Sequence, residues 1–600
     1  MPLTVIQERP PAIRRSRAAR WRAGVLIAVH LAVAAHVAHW WFAGRTMTPV
    51  EPSEAMALAR AGVINAGLVF FAAAALATAL FGRWFCGWGC HIVALQDLCG
   101  WLLAKVRIRP RPLRSRLLAW VPVAAFIYMF LWPAAWRLWH GDPIRRVETQ
   151  WTTPQFWATF PGWAVGGLTF LVCGFAAVYF LGAKGFCTYA CPYGALFAAA
   201  DRVAPMRIRV TDACSGCGHC TAVCTSNVLV HQEVHDYGMV IDPGCMKCGD
   251  CVSVCPSDAL YYGPGPIALF AKPRVPGPEP RRFPLAGWEE GTLAIAFAAA
   301  FLTFRGLYGL IPFLLSLGLA GVLAYAVLVA ARLAVHPNVT LRRIGLKRGG
   351  RLLPAGRGFL AALAAVGLFW AHSAFVHAHA ALGERDFAVA DGLRAAFLDP
   401  AAETATMTAA ERSRLLAARG HLEIAERWGL APGPWQALRL AWLAAFLDGR
   451  GDRGDFERYA ALALARGEAP AEVHQLVARD AWRRGDAAAA AAAYEQAIAA
   501  APDAPEGYLG LGVLAARIGD LAASRAAFDR GLARQPDSAD LWYNAGLARA
   551  LAGDLDGAIA GFERALALAP GHRAAAENLA AARAARSARI EASQREARQR

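Results

Sequence analysis

Cys214-Ser-Gly-Cys217-Gly-His-Cys220-Thr-Ala-Val-Cys224 and Cys245-Met-Lys-Cys248-Gly-Asp-Cys251-Val-Ser-Val-Cys255-Pro256 are two copies of one pattern, C-x2-C-x2-C-x3-C. This is the spacing of bacterial ferredoxins, in which three thiolates of a tight turn reach three irons of a cubane. The fourth Cys of each run opens a helix and ligates the other cubane. The spacing therefore predicts one [4Fe–4S] cluster on Cys214, Cys217, Cys220 and Cys255. It predicts a second on Cys224, Cys245, Cys248 and Cys251. Gly216 and Gly249 leave room for backbone N–H groups to approach the inorganic sulfurs, a contact that tunes the potential. Thr225 stands where the second run has Pro256. Zinc also favours C-x2-C pairs, but eight Cys in two matched runs point to a two-cluster ferredoxin.

Outward from this stretch, the 600 residues suffice for several domains. A hydrophobic content of 56% and a mean hydropathy of +0.32 exceed those of ordinary soluble proteins and point to a membrane. The net charge of +17 arises from Arg clustered between apolar runs, which fits orientation in a bilayer. No basic patch interleaved with base-stacking aromatics suggests nucleic acid. Of 14 Cys, only Cys99 and Cys173 fall outside metal or redox spacings, so a disulfide scaffold is not indicated.

A basic N-terminus, 1–21, carries Arg9, Arg14, Arg15, Arg17 and Arg20, with Arg22 at the edge of the first span. Apolar runs then cover about 22–43, 61–82, 117–135 and 160–182. The first resembles a signal peptide but ends in Trp40-Trp41, like an interfacial belt, and is read as a retained span. Beyond the ferredoxin domain (205–265), a run of about 290–333 is too long for one helix across a core of roughly 30 Å. Arg305-Gly306 is expected to divide it. A further run spans about 358–377, giving about seven transmembrane helices: four in 22–204 and three in 288–377. The basic N-terminus, 83–116 and 332–357 fall on one side, the cytoplasm. The ferredoxin domain falls there too, and everything after about 378 is expected in the periplasm of a bacterial inner-membrane protein.

The C-terminal third repeats every 34 residues. Gly-Asp recurs at 451–452, 485–486, 519–520 and 553–554, and Tyr494, Phe528 and Phe562 keep the same step, as do Pro502, Pro536 and Pro570. With small residues at Gly512 and Gly546, this is the tetratricopeptide pattern, an α-solenoid with a concave groove. Repeats are expected over 434–580, the first degenerate, after a helical linker or cap (378–433) and before a charged tail (581–600). The predicted fold is an all-α membrane protein with an inserted α+β ferredoxin domain and this solenoid, whose groove would take a periplasmic partner.

Two further thiol pairs share a context. Cys86 and Cys90 follow the second apolar run, and Cys187 and Cys191 follow the fourth. A C-x3-C spacing sets two sulfurs on one side of a helical turn. They could bind a further metal or cluster, or form a reversible dithiol favoured by Arg83 or Lys184; two incidental buried pairs are the bland alternative. The span-then-C-x3-C arrangement, with Pro192 after the second pair and both ferredoxin runs following, resembles the membrane-bound polyferredoxins, the NapH-, NosR- and CcoG-like membrane proteins. The resemblance covers about residues 20–335. It implies electron transfer between a quinone pool or cytoplasmic donor and a periplasmic acceptor. Here His91 replaces the first Pro of the family pattern, no flavin-binding domain like that of NosR is present, and the repeats are an addition.

His36 and His372 each lie 14 residues into their spans, about 21 Å from the cytoplasmic starts at 1.5 Å per residue. Intramembrane His residues are functional candidates. They could ligate a haem b or take protons from a quinol; interfacial His is the plainer alternative, which suits His39, His377 and His379. A second class of function stays open alongside electron transfer. In it the chain is an assembly or regulatory factor for a respiratory enzyme, with the C-x3-C thiols handling copper or sensing redox state.

Overall fold

The computed structural model describes residues 13–108, 110, 113–141, 147–159, 162–274, 283–398, 407–447 and 453–599. Arg9 and the Gly451-Asp452 pair lie outside them. The chain divides into two compact units, 1–373 and 374–600.

In the first unit, five helices are long and apolar enough to cross a membrane: Arg17–Ala43, Leu118–Trp139, Trp163–Leu181, Phe313–Val335 and Pro354–Phe387, the last running past the unit boundary. The two other expected spans are shorter. One is Ala66–Phe81, at 16 residues, and the other is Gly287–Phe304, at 18. The latter begins with Glu289 and Glu290, whose charges lower its hydropathy and are answered internally. Glu289 accepts from Arg332 Nε at 2.6 Å, and Glu290 accepts from the Ser115 hydroxyl at 2.6 Å and the Arg116 backbone N–H at 2.7 Å. The expected division falls in place: the helix ends at Phe304, Arg305 caps it and Gly306 takes φ +71°.

The iron–sulfur motifs lie between the spans. Strand Arg207–Val210 pairs antiparallel with Leu260–Gly263, register Arg207 to Gly263 and Val210 to Leu260. Between these strands the chain makes two matching loop-and-helix units, with short helices His219–Ala222 and Asp250–Ser253. The match extends to backbone conformation. Gly218 and Gly249 precede the two helices in the left-handed region, φ +74° and +78°. Asn227 and Asp258, each three residues beyond the fourth Cys of its run, are left-handed as well, a conformation these side chains tolerate. Lys247 occupies the position of Gly216 and shares its positive φ, +50° against +70°. A lysine there is strained, and its buried ammonium is held by Asp201.

In the second unit, helices Gln436–Leu447 and Arg453–Ala465 form the degenerate first pair, and Ala409–Trp428 packs on them through Leu415, Ala418 and Leu422. Helices Pro470–Arg483, Ala487–Ala500, Pro505–Arg517, Leu521–Arg534, Ala539–Leu551 and Leu555–Leu568 follow, closed by Arg573–Gln599. The recurring Gly-Asp pair has a mechanical cause. Gly485, Gly519 and Gly553 turn the chain at φ +81°, +87° and +79°. Asp486, Asp520 and Asp554 then cap the next helix by accepting from the N–H three residues on. Gly512 faces Phe528 of the neighbouring helix; a Cβ there would lie 2.5 Å from the ring. Gly512→Ala is expected to cost about 1–3 kcal/mol by overpacking. Thermal unfolding followed by circular dichroism should show the transition lowered, while Gly571→Ala, which meets open space, should leave it unchanged.

Candidate functional site

The eight ferredoxin cysteines gather in two groups. Cys214, Cys217, Cys220 and Cys255 line one small cavity, with Gly216, Gly218 and Pro256 in its wall. Three come from the first run and the fourth from the second. Cys224 interacts electrostatically with Cys248 and Cys245, and Cys251 with Cys245, Cys248 and Cys224 ahead of Cys220 of the first set. The helices His219–Ala222 and Asp250–Ser253 hold the third Cys of each run; the fourth, expected to open a helix, instead follows the helix by two residues, where the chain has turned toward the opposite loop. None of the 14 cysteines forms a disulfide. Among the described residues, no three His, Cys, Asp or Glu side chains are gathered tightly enough to hold a single metal ion. Thiols set apart around a cavity suit a cubane, whose corners they reach from outside.

Burial raises most of these thiols. Cys248 is pushed up to about 12 by burial and then by Asp250, with Arg22 opposing. Cys251 rises well above its ordinary value through burial and the neighbouring thiols. Cys255 is lowered: the Ser257 hydroxyl and the backbone N–H groups of Ala259 and Leu260 outweigh its burial. Such donors are the contacts that stabilise a metal-bound thiolate. The donor set, its grouping and these N–H groups fit iron–sulfur clusters.

Two charged clusters and a tyrosine hydrogen bond fix the site to the helices around it, and none was evident in the sequence. Arg22, an apparent topology signal in the basic N-terminus, instead lies beside the Cys248 sulfur and pairs with Asp250 at 3.1 Å and Asp97 at 3.3 Å. Ser16, the cap of the first helix, donates to Asp250 at 2.7 Å. Asp201, fully buried, accepts from Lys247 at 2.7 Å and from Arg207 at 3.0 Å. It also receives the backbone N–H of Arg83 at 3.0 Å. Tyr262 donates to the Phe81 carbonyl at 2.6 Å.

The two C-x3-C pairs, a hundred residues apart, converge. Cys86 and Cys187 are buried in one apolar cluster with Phe71, Phe197 and Met246, and Cys90 packs on its edge. Cys191 interacts electrostatically with Cys187, Cys90 and Cys86. His36 and His372 are not joined by any hydrogen bond or ring contact. His36 Nε2 bonds the Met47 carbonyl at 3.1 Å and its ring packs on Phe156, whereas His372 Nδ1 is buried without a partner. Equal depth along two helices did not bring these imidazoles face to face, because depth says nothing of rotation about the helix axis.

A cavity of about 840 Å³ opens between the ferredoxin domain and the helices. Trp120, Pro122 and Val123 give it an apolar wall, Arg114, Arg116 and Arg202 a basic one, and Cys187 and Met246 also face it.

Comparison with known proteins agrees with this layout. Residues 213–259 match the family model of a 4Fe-4S dicluster domain. Residues 65–110 and 163–211 match that of a 4Fe-4S binding domain, and 478–532 and 515–573 that of a tetratricopeptide repeat. The chain is similar to the methylamine utilization ferredoxin-type protein MauN of Methylorubrum extorquens, 27% identical over 29% of this chain and 60% of that protein. It is also similar to MauN of Methylobacillus flagellatus, 27% identical over 24% of this chain and 48% of that protein. The chain thus spans about half to three-fifths of the length of these curated relatives. Among solved structures, the MamA protein aligns with 26% of this chain and 85% of its own, at 21% identity and a TM-score of 0.22. The chain thus carries 4Fe-4S ferredoxin-type segments and a C-terminal tetratricopeptide region, and it is similar over part of its length to ferredoxin-type proteins.

Proposed function

We propose that this chain is a multi-pass protein of a bacterial inner membrane that passes single electrons between the quinone pool, or a cytoplasmic donor, and a periplasmic redox partner. Cys214, Cys217, Cys220 and Cys255 hold one [4Fe–4S] cluster, and Cys224, Cys245, Cys248 and Cys251 the other. The observation that carries this reading is the grouping of eight thiols into two sets of four, each drawing three from one run and one from the other. When bound, the clusters supply one-electron redox chemistry. The chain supplies ligand geometry, N–H donors and the Arg22 guanidinium beside Cys248, which favours the added negative charge of the reduced state. The 840 Å³ cavity, apolar on one side and basic on the other, supports the quinone link. The repeats support docking of a protein partner, and the distribution of basic residues is the ground for setting that partner in the periplasm and the ferredoxin domain on the cytoplasmic face.

The test is EPR on anaerobic membranes holding the full chain, with quinol added before dithionite. Cluster signals are expected with quinol alone. Signals seen only with dithionite would overturn the quinone link and leave a low-potential cytoplasmic donor.

A further inference from the structure

The cation Arg83 is 5% exposed, yet among the described residues its guanidinium pairs with no carboxylate. Its Nη1 donates to the Pro243 carbonyl at 3.0 Å and its Nε has no partner. What surrounds the charge is sulfur: Cys86 lies against it, with Cys191 and Cys187 near. Lys184, 1% exposed, stands in the corresponding place before the second pair, where it bonds Asp97 and the Val93 carbonyl. A glycine of positive φ lies one residue before Arg83, Gly82 at +65°, and two residues before Lys184, Gly182 at +111°. A single short helix, Trp84–Trp88 or Gly185–Tyr189, carries the first Cys of each pair. The two motifs are thus matching halves of one site. Gln96, 1% exposed, donates its amide to Cys187 Sγ at 2.8 Å, as a donor to a ligating sulfur does.

We propose that Cys86, Cys90, Cys187 and Cys191 together bind one further iron–sulfur cluster, with Arg83 as its buried counter-charge. Four free thiols would leave that guanidinium buried without an anion, an arrangement proteins avoid. Four metal-bound thiolates, deprotonated by coordination, provide the missing negative charge. The two matched segments would then share a single centre, each giving half its ligands. The site also adjoins the ferredoxin domain. Gly87, inside the first motif, packs so closely on the Met246 carbonyl that a Cβ would collide and touches the Cys248 backbone, and Trp88 donates to the Lys247 carbonyl at 3.1 Å. The quartet thus lies next to the set containing Cys245 and Cys248. One electron leaving that set reduces the quartet by one, and no bond forms or breaks. This relay rests on the electron-transfer reading; the presence of the cluster does not.

The test is iron and acid-labile sulfide per chain in anaerobically purified full-length protein. Two cubanes account for about eight irons, and a third cluster adds about two or four. The expected result is iron above eight, falling to about eight in Cys86→Ser and Cys191→Ser while both ferredoxin EPR signals persist. Should those variants fail to fold, Arg83→Gln offers a second readout. Loss of the positive charge is expected to lower the midpoint potential of the third signal alone, and Arg83→Lys to restore it. About eight irons in the unaltered chain, or copper at the quartet without extra iron, would overturn the proposal. Failure of quinol to reduce the protein would leave the iron count untouched and count against the quinone link only.

Discussion

Cys224→Ala is expected to abolish the signal of the cluster held by Cys245, Cys248 and Cys251, and to spare the one on Cys214, Cys217 and Cys220. The mutated residue belongs to the run of the spared cluster. Two residues beyond the short helix His219–Ala222, its sulfur reaches across to Cys245 and Cys248, and Cys255 makes the reverse crossing into the cavity of the first set. Cys255→Ala should therefore give the complementary spectrum. Each variant is expected to lose one complete set, about four irons per chain if the cubane is not retained on three ligands. Iron analysis and EPR of the pair decide it. If Cys224→Ala and Cys217→Ala removed the same signal, the crossed assignment would be wrong.

Asp201→Asn should produce the largest loss of stability of any single change outside the cysteines. The carboxylate is fully buried and neutralises Lys247 and Arg207 together, both almost fully buried themselves. An amide of the same shape leaves two cations in a medium that solvates neither. Breaking one buried pair costs about 3–5 kcal/mol. Two consequences should be visible. The unfolding transition of the detergent-solubilised chain falls. The second cluster is also lost before the first on heating, because Asp201 holds Lys247 in the left-handed turn between Cys245 and Cys248. Unchanged melting together with simultaneous loss of both signals would contradict this account.

What could be read from sequence followed the range of the interaction responsible. The 34-residue repeat was legible because each Gly-Asp pair performs a local task, the glycine turning left-handed and the aspartate capping the next helix. The break at Arg305-Gly306 was legible for the same reason. The span count was harder. Hydropathy counts Glu289 and Glu290 as charges facing solvent, whereas Arg332, Ser115 and backbone N–H groups answer them inside the fold. The two C-x3-C pairs were each visible as motifs, but nothing in their spacing reported that segments a hundred residues apart share one pocket. The thiol sets of the ferredoxin domain had no such gap to bridge, since both runs lie in one stretch of chain.

By itself, then, the sequence determined the chemistry of the ferredoxin domain and the periodicity of the repeats. Thiol spacing and turn residues act over a few positions, and backbone geometry leaves them few alternatives. Only the tertiary structure decided which charges serve the clusters. Arg22 and Asp201 read in sequence as ordinary charged residues flanking apolar runs, and Arg83 and Lys184 stood out only as cations three residues before a C-x3-C pair. Packing of distant segments removes them from water and sets each beside a thiol or an opposite charge, and it is that burial, a property of no single stretch, that makes their pairing matter.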